Sequence, residues 1–284
     1  MDLSVVVITY NSAEHVLECL RCLAPGAQGL SMECVVVDNA SSDDTPELVR
    51  REAPWARVID SGGNLGYAKA VNLGTRATTG EFVLVLNPDC MLGPGSMAPL
   101  HQWMREHTRC AIAAPRIVGP DGQPELSGRS FPGPHTFLFN RYSLATRLWP
   151  GNPWSRRYLL SDWDRNRDLS VDWVSGSCMF VRRAAIEQVG GMDEAYFMFN
   201  EDVDWCRCMK MAGWSVDFVA ASRVMHHIGA SRGHTSAKVI LERHRGMIHY
   251  FRKHHPTNPL ATALTSALIM LRARLMLALN EMKR

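Results

Sequence analysis

Four short polar clusters in this chain contain residue types that chemistry uses: Asp38-Asn39-Ala40-Ser41-Ser42-Asp43, Asn64-Leu65-Gly66-Tyr67-Ala68-Lys69, Asn87-Pro88-Asp89 and Glu201-Asp202-Val203-Asp204. A carboxylate at Asp38 would accept the imide N–H of uracil or thymine, with small neighbours leaving room for a ribose. The same residues would also make an Asx turn before a helix. The segment from Asn64 precedes a helix N-terminus, which suits a diphosphate. It has neither the dinucleotide-binding nor the Walker spacing, so neither NAD nor ATP-hydrolysis chemistry is implied. Asn87 and Asp89 offer an amide oxygen and a carboxylate. A hard divalent cation bridging two phosphates needs few protein oxygens, so Mg²⁺ or Mn²⁺ fits there. Such an ion would neutralise the charge on a departing nucleotide diphosphate. His226-His227 adds either a neutral imidazole ligand or a structural histidine. Glu201 and Asp202 open a helix, where carboxylates suit the macrodipole. One of them facing a cleft would instead take the proton from an acceptor hydroxyl. A single direct attack of that hydroxyl on an anomeric carbon inverts it.

The elements that must position these residues alternate strand and helix. Ser4–Thr9, Glu33–Val37, Arg57–Ile59 and Glu81–Leu86 are apolar or β-branched runs of strand length, as expected for strands buried on both faces. Between them lie helical stretches: one capped by Ser12 and stopped by Pro25-Gly26, one capped by Thr45 with Pro46 at its first position, and one over Tyr67–Thr78. The expected fold is α/β, with a mostly parallel central sheet flanked by helices. Asn11, Asp38, Asn39, Asn87 and Asp89 all fall at strand carboxyl ends, where such sheets bind ligands. Residues 115–172 lose this pattern and read as loops over the site. Val171–Arg182 and Ser215–Val219 return to strand, with a helix over Glu201–Ala212 between them.

Composition excludes little. The net charge is +3 over 284 residues, too small to argue for nucleic acid. The N-terminus does not resemble a secretory signal, and eight cysteines without one point to free thiols in a reducing, cytoplasmic setting.

In order, SVVVITYN, VVVDNASSD, NLGYAKAVNLG, LNPD, WVSGSCMFVRRAAIEQVGGMDEAYFMFNEDVDWCRCMKMAGW and VMHHIGAS resemble the motifs of glycosyltransferase family 2. The resemblance is to the rhamnosyltransferase-like branch that builds cell-wall and surface polysaccharides. It implies a GT-A (Rossmann-like) fold, a nucleotide-diphosphate sugar donor and inversion. By position, Thr9, Asn11, Asp38 and Asn64 match nucleotide-contacting residues, and Asn87 stands first in the Asp-x-Asp motif. Asp89 and His226 match metal ligands. Asp202 matches the catalytic base, with Glu201 its neighbour and alternate. Trp173 and Gly176 match the loop beside donor and acceptor sugars. Asn87 in place of a carboxylate removes one negative charge from the metal motif.

The donor expected is dTDP-L-rhamnose, then a UDP-sugar; the acceptor is a saccharide, lipid-linked by the resemblance. A sugar-1-phosphate nucleotidyltransferase would carry a basic glycine-rich N-terminal signature, and Val5–Asn11 is neither. An inactive nucleotide-sugar sensor would have lost Asp89 or the Glu201-Asp202 pair, and both are present. The domain expectation is 1–235 for the transferase, with nucleotide (1–114) and acceptor (115–235) halves, then a helical extension over 236–284. Leucines at 260, 264, 268, 271, 275 and 279 repeat at helical spacing. Arg272 and Arg274 interrupt the run, so the expectation is a helix on the inner face of the membrane, or one packed on the domain or on a second subunit.

Overall fold

A computed structural model describes residues 1–133, 136, 144–227, 236–255 and 258–281. The first half alternates β1 (Leu3–Thr9), α1 (Val16–Gly26), β2 (Met32–Asp38), α2 (Thr45–Glu52), β3 (Arg57–Asp60), α3 (Tyr67–Arg76) and β4 (Phe82–Leu86). Next come β5 (Cys90–Leu92), α4 (Met97–Glu106), β6 (Cys110–Val118) and β7 (Gly128–Arg129). Two short helices, α5 (Leu144–Leu148) and α6 (Pro153–Leu159), precede β8 (Leu169–Ser170), β9 (Trp173–Val174) and β10 (Cys178–Arg182). The chain closes with α7 (Arg183–Val189), α8 (Glu201–Met211), β11 (Ser215–His226), α9 (Ala237–His254) and α10 (Pro259–Glu281).

Among the described residues, nine strands form one sheet in the order β3-β2-β1-β4-β10-β6-β11-β5, with β8 added on β11. β3, β2, β1 and β4 run parallel. β10 lies antiparallel between β4 and β6, and β5 lies antiparallel to β11. Alternate residues of one strand face opposite cores. Val6, Val35 and Val83 join α3, α7, α8 and α9 on one face through Val71, Ala185, Trp205 and Tyr250. Val5, Val36 and Leu84 join α1, α2 and α4 on the other through Leu20, Val49 and Leu100.

Several expected boundaries move for physical reasons. α1 runs through Pro25 before ending at Gly26. Ser12 does not cap it with its side chain; its carbonyl accepts from the N–H groups of His15 and Val16. α2 begins at Thr45, whose hydroxyl donates to Asp43 Oδ1 and accepts from the Ser12 N–H at 2.8 Å. The strand expected over Val171–Arg182 is broken: β9 pairs with β7 in a separate ribbon, and Ser175-Gly176-Ser177 turns before β10. The strand expected over Ser215–Val219 continues to His226, crossing a register irregularity between Val219 and Arg223. The 114/115 boundary falls inside β6, which the sequence pattern does not announce. Of the C-terminal motif, Ile228 to Ser231 lies outside the described residues.

All eight cysteines are free, and six are buried. Burial pushes the Cys34 and Cys178 thiols up to about 12, so they behave as small core hydrophobes.

Candidate active site

Register alone gathers the polar clusters at one sheet edge. Thr9 is the β1 partner of Asp38, Asp38 is the β2 partner of Asp60, and Val7 is the β1 partner of Leu86, the residue before Asn87. At the other end of the sheet His226 is the partner of Cys90, which brings its ring beside Asp89.

Beside the ends of β1 and β2 lies a cavity of about 450 Å³ lined by Asp38, Ser41, Ser42, Asp43, Glu47, Arg50 and Asp60 among others. Asp38 is buried, and its carboxylate accepts from Thr9 Oγ1 (3.0 Å), Ser41 Oγ (2.6 Å) and the Ser41 N–H (2.9 Å). The two-residue reach of the Asx turn expected at Asp38 is not what is found: the carboxylate takes the N–H three residues on, and the residue also lines the cavity. Thr9 is fully buried and stands behind Asp38. Asn11, at a φ of 51°, accepts from the Ser42 N–H at 2.7 Å and ties the β1 and β2 loops together. With four carboxylates (Asp38, Asp43, Glu47 and Asp60) against one arginine, this rim suits an uncharged group far better than phosphate.

The Asn64 loop is knitted from within. Asn64 Oδ1 accepts from the Gly66 N–H at 3.2 Å, while Asn39 Oδ1 accepts from the Leu65 N–H at 2.9 Å. Gly66 is fixed by sterics as well as by its φ of 86°. A Cβ there would lie 2.4 Å from the Phe197 carbonyl oxygen, which accepts the Tyr67 N–H at 2.7 Å.

Tyr67, the first residue of α3, stands at the centre. Its hydroxyl is 2.7 Å from the Gly176 carbonyl and 3.0 Å from Asn87 Oδ1. Burial, reinforced by Glu201 and Asp202, pushes its pKa well up, so it remains a donor. The Gly176 N–H in turn donates to Asp202 Oδ2 at 2.9 Å, and the Val203 N–H donates to Oδ1 at 2.8 Å. An added Cβ on Gly176 would come within 3.3 Å of the Asp202 Cβ, so this glycine permits the approach. Asp202 is raised by burial, and these two N–H groups and the Arg129 charge pull it back. Glu201 is 6% exposed, and its Oε2 has no hydrogen-bond partner. Burial and then the Asp202 charge raise it well above the carboxylate range. Phe199 and Asn200, immediately before this pair, both hold positive φ (68° and 73°), a strained arrangement of the kind found at functional sites.

Trp173 is buried, with its Nε1 donating to the Ser130 carbonyl at 2.8 Å. It carries the Arg129 guanidinium over its ring at 4.9 Å. Gly176 meets Asp202 from this loop, while Arg129, on the paired strand β7 with Trp173 as its platform, brings a positive charge to bear on Asp202. Beyond it lies a cavity of about 480 Å³ lined by Phe131, Trp154, Arg157 and Tyr158 among others.

Asp89 Oδ1 is buried, makes no hydrogen bond and lies 3.2 Å from His226 Nε2. Adjacent ligand atoms of an octahedral shell with bonds near 2.1 Å are separated by about 3 Å, so the pair fits a hard divalent cation. Cys90 shares the cluster. Its thiol points to the Ser177 carbonyl at 3.4 Å, and burial pushes its pKa up. Burial alone would lower the His226 pKa, but Asp89 and Glu125 raise it to about 9. Tyr67, Arg129 and Glu125 carried no separate signal in the sequence: Tyr67 lay inside the glycine loop motif, and the other two lie in the weakly patterned region.

The description Glycosyl transferase family 2 covers residues 4–190 by family-model match. An N-acetylglucosaminyl-diphospho-decaprenol L-rhamnosyltransferase of Mycobacterium tuberculosis is 34% identical over 264 residues, covering 89% of this chain and 85% of its own. A low-salt glycan biosynthesis hexosyltransferase of Haloferax volcanii is 31% identical over 209 residues, covering 72% of this chain and 60% of its own. A mannosyltransferase from Pyrobaculum calidifontis, solved with GDP-Man and Mn²⁺, superposes with a TM-score of 0.59 at 19% identity, over 97% of this chain and 78% of that one. GalNAc-T7 with UDP, GalNAc and Mn²⁺ gives 0.61 at 17% identity, over 87% of this chain and 47% of that one. A parallel N-terminal half, an antiparallel strand carrying a histidine to the Asp89 loop, and these likenesses converge: the chain belongs to glycosyl transferase family 2 and is a glycosyltransferase of the GT-A fold.

Proposed function

We propose that this enzyme transfers L-rhamnose from dTDP-L-rhamnose, with inversion, to a saccharide carried on a polyprenyl diphosphate. The observation that carries the proposal is the hydrogen-bonded chain Asn87–Tyr67–Gly176–Asp202. It makes the metal loop and the carboxylate base parts of one rigid cleft. The choice of sugar and acceptor draws on the mycobacterial relative at 34% identity.

The acidic cavity at Asp38 takes the nucleoside, with Asn11 and Asn64 shaping its loops and Thr9 holding Asp38. Asp89 and His226 hold Mg²⁺ or Mn²⁺, which when bound offsets the charge of the donor diphosphate. Asp202 accepts the proton of the acceptor hydroxyl as that oxygen attacks the anomeric carbon and the nucleoside diphosphate departs. Its raised pKa makes it a stronger base than an ordinary aspartate, and the N–H groups of Gly176 and Val203 fix its orientation. The aromatic cavity beside Arg129 receives the acceptor, with Arg157 placed for a lipid diphosphate. Residues 1–235 hold the cleft, divided into nucleotide and acceptor halves, and residues 236–284 are the extension. The leucine face of α10 rests on the cytoplasmic face of the membrane, where such an acceptor resides.

A panel of dTDP-, UDP- and GDP-sugars with Mg²⁺ and Mn²⁺ tests the reading. Asp202→Asn is expected to lower kcat by about 10²–10⁴-fold with donor affinity nearly unchanged, because the base acts on the acceptor. Asp89→Ala is expected to weaken donor binding in the presence of the cation. Near-normal turnover of Asp202→Asn would remove Asp202 as the base. A preference for UDP- or GDP-sugars would remove dTDP-L-rhamnose as the donor.

A further inference from the structure

Glu125 has no part in the chemistry above, yet its carboxylate reaches the metal site. It lies in a turn-rich stretch, Gly119-Pro120-Asp121-Gly122-Gln123-Pro124-Glu125, with no periodic pattern. After β6 the chain folds back on itself: the Gly119 N–H donates to the Gln123 carbonyl, Val118 bridges Pro124, and the Glu125 N–H donates to the Ile117 carbonyl at 2.9 Å. Val118 is also the β6 partner of Met225, the residue before His226. This return strand therefore carries Glu125 to the imidazole. Oε1 lies 3.3 Å from His226 Nδ1, an ion-pair contact at the long end of hydrogen-bonding range, and neither atom has a hydrogen-bond partner.

A buried carboxylate without a donor is costly, so this contact is the feature that accounts for an acid at position 125. An imidazole has two distinct nitrogens. When Nδ1 carries its proton toward Glu125, Nε2 presents a lone pair on the side facing Asp89, 3.2 Å away.

We propose that Glu125 is a positioning residue of the metal centre: it holds the Nδ1–H of His226 and so aims Nε2, with Asp89, at the divalent cation. Carboxylates in this outer position raise the basicity of the ligating histidine and fix its ring. The proposal rests on the reading of Asp89 and His226 as metal ligands, and the experiment separates the two.

Mn²⁺ is titrated into the full-length protein with saturating dTDP, free Mn²⁺ is followed by electron paramagnetic resonance, and Tm is measured alongside. Glu125→Ala is expected to weaken Mn²⁺ binding by about 10–100-fold. Glu125→Gln retains an acceptor oxygen without the charge, so its expected loss is smaller, roughly 3–10-fold, at a Tm near that of the wild type. Wild-type Mn²⁺ affinity in both Glu125 variants, with a loss in His226→Ala, overturns the positioning role and leaves the metal site standing. Unchanged affinity in His226→Ala overturns the metal site and the proposal with it.

Discussion

Glu201 and Asp202 are neighbours in sequence with opposite treatment by the fold. Asp202 receives two backbone N–H groups, and Glu201 keeps a buried oxygen with no partner. The folded pKa of Glu201 is raised above its unfolded value, by burial first and the Asp202 charge second. The native state therefore holds a proton that the unfolded chain releases. The stability this gives is complete below the unfolded value, about 4.3, and is lost as pH rises through the folded one. Glu201→Gln removes the titration. It is expected to raise Tm of the ligand-free protein by about 2–4 °C at pH 8, equivalent to about 1 kcal/mol, with the gain shrinking toward pH 4. Thermal melts across that range decide it, and a gain independent of pH would count against a buried charge. Asp38, Asp89, His226 and Asp202 were legible in the sequence because each is a polar residue where an apolar run ends or a helix begins. Tyr67, Glu125 and Arg129 were not, because their roles come from contacts across 20 to 109 positions of chain, which no local pattern encodes.

At the level of elements, the helix that carries Asp202 is gripped from outside the cleft. Asp204, on the same first turn of α8, is almost fully buried and accepts from Lys253 Nζ at 2.9 Å, and it lies 2.6 Å from His254 Nε2 and 3.2 Å from the Tyr196 hydroxyl. Arg207 adds a bond to the Tyr250 hydroxyl at 2.8 Å. The fold makes Asp204 a latch to α9. Removing one partner of a buried ion pair leaves the others uncompensated, so Asp204→Ala is expected to cost about 3 kcal/mol in urea unfolding. A loss under about 0.5 kcal/mol, the range of ordinary surface substitutions, would show that the latch does not hold α8. β1, β2 and β4 were legible because continuous β-branched runs can only be buried on both faces. β6 was not: it is alanine-rich and contains Pro115, which the sheet accommodates where β11 loses register and β10 has ended. The break at Ser175–Ser177 hid for the opposite reason, since apolar residues flank it on both sides.

For the whole molecule, α10 is the least enclosed element. It is 23 residues long, and its length and composition would suffice to cross a membrane, with 11% of its most apolar window buried. Ile269 and Ala273 face inward, while Leu260, Leu264, Leu268, Leu271, Leu275 and Leu279 are 42–81% exposed. Such a stripe, about 34 Å long at 1.5 Å per residue, matches a helix lying along a lipid surface. Deleting residues after Asn258 is expected to reduce co-sedimentation with anionic liposomes several-fold, since the stripe of exposed leucines is removed. Unchanged binding would exclude α10 as the membrane contact.

The latch at Asp204 also sets the smallest piece of this chain that can work. A fragment ending at residue 235 would retain every residue named for donor, metal and proton transfer. It would nonetheless lose Lys253, His254 and Tyr250, leaving Asp204 buried beside an open face and α8 free to shift. The latch thus predicts a working unit longer than residues 1–235: a chain ending after α9 keeps the partners of Asp204, and one ending at residue 235 does not.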